Sequence, residues 1–96
     1  MTQYIPEITA EECAEVIQAI TKCLRFGLDQ VHPETNISNK EQLETEIGQL
    51  RRMLNMLEKE WNLDNENIYD AYMIKSRALM KYAQYEIPRH PVEVGS

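Results

Sequence analysis

Apolar residues recur along this chain at the three- and four-residue intervals that gather side chains on one face of an α-helix. The first run, Cys13, Val16, Ile17, Ile20 and Leu24, predicts a helix over about 10–26 with those five as its buried stripe. Thr9 and Glu12 have capping-box spacing, and Ile8 and Cys13 stand where a hydrophobic staple would be. Pro6 disfavours helix at Ile5, so residues 1–7 read as a lead-in, while Gly27 suits a helix stop.

A longer stripe follows: Leu43, Ile47, Leu50, Leu54, Leu57 and Trp61, with Met53 and Met56 beside it. It predicts a helix over about 39–62, opened by a second capping box at Ser38 and Glu41. Gly48 inside it costs about 1 kcal/mol relative to alanine, which a close approach by another backbone or a ligand would explain. Residues 28–37 between the two helices lack periodicity and form a longer connection than most helix–helix turns. His32 lies there before Pro33, and a lone histidine in that setting is usually neither a switch nor a ligand.

Asp64 can cap a third helix, with Leu63 and Ile68 at staple spacing and Ile68, Tyr72, Leu79, Tyr82 and Ala83 as its apolar face. It should end within 84–86, and Pro88 and Pro91 leave residues 87–96 as an extended tail. The expectation is an all-α fold with one domain over residues 1–86. The helix 2 stripe is too broad for three helices to cover, so a helical bundle completed by oligomerisation, as a homodimer or homotetramer, is expected. A three-helix monomer is the alternative.

Composition agrees, with Leu, Ile and Met far outnumbering Val and Phe, and few glycines or prolines. The net charge of −6 is uneven: residues 1–50 hold nine acids and three bases, whereas residues 51–96 hold seven of each. A chain without a basic stripe is a poor partner for nucleic acid, although a divalent cation can still bring a nucleotide's phosphates to it. Cys13 and Cys23 lie about 15 Å apart along one helix, too far for a disulfide, and read as small core residues. With no signal-peptide pattern and no run of the roughly 20 apolar residues needed to span a bilayer, the expected compartment is a reducing cytoplasm, with no membrane partner.

The chemistry concentrates in acids. Glu12 and Glu15 share a helix face, and Glu46 and Gln49 repeat that spacing on helix 2. Antiparallel packing with a ten-residue connection can bring the pairs level, giving an oxygen-only site that suits Mg²⁺ or Mn²⁺ rather than zinc. The plain alternative is that Glu11, Glu12 and Glu15 oppose the dipole of a helix start, Glu12 serving as Thr9's capping partner. There is no glycine-rich phosphate loop, no HExxH and no zinc-spaced Cys/His cluster.

Glu11-Glu12-Cys13-Ala14-Glu15, followed by Glu46-Ile47-Gly48-Gln49, resembles the EExxE…ExxD signature of the MazG-like nucleoside triphosphate pyrophosphohydrolases. The context AEECAEVIQAITKCLRFG, LETEIG and a later helix with Lys75 and KYAQY extends the likeness over roughly residues 8–85, in particular to short single-domain phage and bacterial members. The resemblance implies an all-α oligomeric hydrolase that uses Mg²⁺ to split (deoxy)nucleoside triphosphates into monophosphate and pyrophosphate. It implies Glu12, Glu15 and Glu46 as metal ligands and Glu11 as a supporting residue that orients the attacking water. Lys75 and Lys81 would meet phosphate oxygens. Gln49 replaces the motif's Asp, removing one negative charge from the cation site. A relative impaired in catalysis that still binds a nucleotide or partner is therefore the alternative, and a purely structural helical oligomer the third.

Overall fold

Two amphipathic helices joined by a ten-residue connection can fold back on each other, and residues 4–63 do so. The structure, a computed structural model, describes residues 4–82. These form α1 (Tyr4–Phe26), α2 (Asn39–Glu60) and α3 (Asn65–Tyr82), and among the described residues there is no strand. The chain divides into two compact units, Met1–Leu63 with α1 and α2, and Asp64–Ser96 with α3.

The first unit is an antiparallel helical hairpin. Cys23 Sγ donates to Asn39 O (3.6 Å) at one end, and Thr9 Oγ1 to Met53 O (3.4 Å) towards the other. The residues withdrawn from solvent on α1 include Ile5, Thr9, Glu12, Val16, Ala19 and Cys23. On α2 they include Asn39, Leu43, Glu46, Leu50, Met53, Leu57 and Glu60. Both sets alternate steps of four and three, the repeat of a coiled-coil seam.

That seam corrects the stripe expected for α1. Cys13, Ile17, Ile20 and Leu24 are exposed, Ile17 at 64% and Leu24 at 82%, and only Val16 of the five is half-buried. A single partner helix covers only one face, and small Ala19 and Thr9 allow closer approach than the bulkier stripe does. Cys13 is correspondingly exposed and Cys23 half-buried, both as free thiols.

The start of α1 is a second correction. The helix begins at Tyr4, not near residue 10, and Pro6 lies in its first turn, where a missing N–H costs nothing because that donor has no helical acceptor. Thr9 is therefore not an N-cap. It is buried inside the helix, and its hydroxyl donates to Ile5 O (2.7 Å) as well as to Met53 O. Glu12 is thereby released from the capping role.

The other boundaries follow local chemistry. Ser38 and Glu41 form the expected capping box, Ser38 Oγ accepting from Glu41 N and Glu41 Oε1 from Ser38 N, both at 3.0 Å. Gly27, at φ +92°, ends α1 in the left-handed region. Asp64 Oδ1 accepts from Glu66 N (2.9 Å) and Asn67 N (3.3 Å), opening α3 as expected. The expected end of helix 3 and the tail over 87–96 lie outside the described residues.

The connection is more ordered than its lack of periodicity suggests. Val31 and Ser38 form an antiparallel bridge, His32 N donates to Ile37 O (2.9 Å), and Asn36 turns the chain at φ 60°. Asn39 closes it, with its N bonded to Gln30 O and its Nδ2 to Gly27 O, each at 2.9 Å. A close approach within this chain does not explain Gly48. A Cβ built there meets nothing within 4 Å, so no neighbour in this chain requires a glycine.

Candidate functional site

The seam that holds the hairpin together runs through two carboxylates. Glu12 on α1 and Glu46 on α2 both occupy seam positions, and Glu46 is only 9% exposed. A buried carboxylate is stable only when paired or protonated. Gln42, one turn before Glu46, donates from Nε2 to Glu46 Oε2 at 2.6 Å and meets part of that need. Glu12 Oε1 is closed off from solvent and has no hydrogen-bond partner.

The Glu12 carboxyl is accordingly held above its ordinary pKa, first by burial, then by the fields of Glu46 and Glu15, by a Glu46 carboxyl close enough to share a proton, and by Glu11. A proton shared between two carboxyls is one way to hold such a pair together. A cation between them is the other. The site is thus a pair of carboxyls whose mutual repulsion is unrelieved when both ionise.

The remaining acids divide by helix geometry. Each residue turns about 100° around its helix, so Glu11, Glu15 and Lys22 leave the seam on one side of α1. In the antiparallel hairpin, Gln42, Gln49 and Arg52 leave α2 on that same side. Glu15, Glu11 and Gln49 are all exposed. The opposite flank carries Cys13, Ile17, Ile20 and Leu24 with Ile47 and Leu54, and is apolar. Glu12, Glu15, Glu46 and Gln49 therefore lie at or beside one edge of the seam. Among the described residues, however, no group of three or more His, Cys, Asp or Glu side chains is already arranged around a metal position.

Lys75 and Lys81 belong to α3 in the second unit, and both side chains are exposed. Sequence reasoning missed Gln42 as the residue that orients Glu46. Its i,i+4 spacing to Glu46 was the available signal. It also missed that Thr9 fills the seam one turn from Glu12, because the capping-box spacing offered that residue a simpler role.

No helix among the described residues is long and apolar enough to cross a membrane. No family model, curated protein or solved structure matches this chain.

Proposed function

We propose that this chain is a Mg²⁺-dependent pyrophosphohydrolase of the MazG-like type, with Mn²⁺ as a substitute cation. It would cleave (deoxy)nucleoside triphosphates to monophosphate and pyrophosphate, with activity lowered by Gln49. The observation that carries this reading is the Glu12–Glu46 pair: two carboxyls meet inside the seam, with one sealed oxygen unpartnered. Hard oxygen donors of this kind fit a divalent cation.

Glu12 and Glu46 would hold that cation, Glu15 joining from the next turn of α1 and Gln49 offering a neutral carbonyl oxygen. When bound, the cation supplies charge for the phosphates and acidifies a water molecule. The chain's own residues do the rest. Glu12 and Glu46 would face the cation as carboxylates, Gln42 would keep the Glu46 carboxylate turned into the site, and Glu11 would orient the attacking water. Lys75 and Lys81 are the proposed phosphate contacts. The exposed apolar flank of Ile17, Ile20 and Leu24 supports assembly into a homodimer or homotetramer.

A second reading, an impaired relative that binds a nucleotide without turning it over, is favoured by Gln49, which is neutral and exposed where the motif has Asp. Pyrophosphate release from a panel of triphosphates, with and without Mg²⁺, separates the two. Release that is lost in Glu12→Gln and Glu46→Gln is the expected result. Its absence from every triphosphate, with recovery in Gln49→Asp, would establish the impaired relative instead. If calorimetry also detected no binding of a non-hydrolysable analogue, neither nucleotide reading would survive.

A further inference from the structure

At the end of the hairpin away from the connection, a cleft of about 340 Å³ opens between the start of α1 and the second half of α2. Ile5 and Met56, both half-buried, form its apolar floor, and Arg52, Lys59 and Glu60 supply its charge. None of these three forms an ion pair with another described residue.

Glu60 is the strained member. It is half-buried at a seam position, and its Oε2 is closed off from solvent without a hydrogen-bond partner. A carboxylate with one oxygen out of water is poorly hydrated, so a cation arriving over the cleft attracts it more strongly than it would attract a fully solvated group. The cations of its own helix are badly placed for that. Arg52 stands eight residues earlier, about 12 Å along the axis. Lys59 is adjacent in sequence and diverges from Glu60 by about 100° around the helix.

Arg52, Met56 and Glu60 follow one another at four-residue steps, so they form one row along α2 with Met56 in the middle. A row with a cation at one end, an anion at the other and an apolar residue between them is complementary to its own copy across a two-fold axis. With a second α2 laid antiparallel and the axis at Met56, each Arg52 meets the Glu60 of the other copy, about 6 Å to either side of the axis. The two Met56 side chains meet on the axis, where flexible thioethers adapt to each other. Lys59 lies at the rim, its stem against the contact and its ammonium in water. Moving the axis half a residue towards the start of α2 would set Arg52 against Lys59 twice, so charge selects the Met56 register.

We propose that this cleft is closed by a second copy of the chain, through an isologous α2–α2 contact centred on Met56 and carried by two Arg52–Glu60 pairs. The contact lies on the flank of the hairpin opposite Ile17, Ile20 and Leu24, and it draws on none of the nucleotide chemistry. Either face alone gives a homodimer, and the two together account for a homotetramer.

Sedimentation of the full chain over a range of concentrations reads the contact. Arg52→Glu and Glu60→Arg should each halve the molar mass, because each sets like charges together twice across the axis. Mixed in equal amounts, the two variants should recover the wild-type mass, since every pair across the axis then joins a carboxylate to a guanidinium. A purely apolar interface cannot produce that recovery. Circular dichroism checks the helix content of each variant. Should Glu60→Arg lose helix, Arg52→Glu, at an exposed position, decides alone. A wild-type chain that is monomeric throughout, a mass unchanged in Arg52→Glu, or no recovery on mixing the folded variants would each overturn the contact. Pyrophosphate release is read separately, so failure of the enzyme leaves the molar-mass result standing.

Discussion

Gly48→Ala tests whether the outer face of α2 is as open as the hairpin makes it. Gly48 lies in the middle of the 22-residue α2, is exposed, and stands between Glu46 and Gln49. The Cβ methyl of an alanine there meets nothing within 4 Å, and φ at Gly48 lies outside the left-handed region that alanine would resist. No steric cost therefore offsets the gain in helix propensity and the loss of unfolded-state entropy, together about 1 kcal/mol. For a chain of this size that corresponds to a rise of roughly 4–8 °C in Tm. Thermal unfolding followed by far-UV circular dichroism reads the shift, with sedimentation of both proteins confirming the same molar mass. An unchanged or lower Tm would refute the argument. If the molar mass also fell, a second chain's backbone would be packing against Gly48, and the glycine would be explained by assembly.

The pH dependence of stability should carry the signature of Glu12. Its folded pKa is raised, so the native state holds the proton more tightly than the unfolded state. The associated stability is fully present below the ordinary value of 4.5 and is lost as pH rises through the folded value. Glu12→Gln should flatten that fall in denaturant melts, and an unchanged slope would clear Glu12 of the effect. Ser38→Ala removes one half of the capping box and should cost about 0.5–2 kcal/mol by urea unfolding. Ala19→Leu forces bulk into a position only 4% exposed and should destabilise by about 1–3 kcal/mol. By contrast, Leu24→Glu, at a site exposed within the chain, should leave the helix content intact and lower the molar mass in sedimentation if the apolar flank is shared between copies.

Local chemistry was the legible part of this protein. Ser38, Glu41, Gly27 and Asp64 act within a turn of their own positions, so their spacing is enough to place the end of α1 and the starts of α2 and α3. Apolar periodicity likewise identified three helices. It failed where two solutions were locally equivalent. Thr9 followed by Glu12 can cap a helix or sit inside one, and Pro6 can precede a helix or occupy its first turn, where its missing N–H is harmless. Nothing within four residues distinguishes those choices; the packing of Thr9 against Met53 does.

The candidate site divides along the same line. The acids Glu12, Glu15 and Glu46 and the odd Gln49 can be found by spacing, because i,i+3 pairs share a face whatever that face meets. Which face of α1 meets α2 cannot. The more hydrophobic stripe, Cys13 to Leu24, was the natural choice, yet the seam runs through Thr9, Glu12, Val16 and Ala19. Only the antiparallel register sets Glu12 against Glu46 and seals one of its oxygens. Helix identity is local, resting on caps and periodicity within a few residues. The choice of buried face depends on shape complementarity with a segment 16 to 44 residues away along the chain, and that is settled only when the two helices pack.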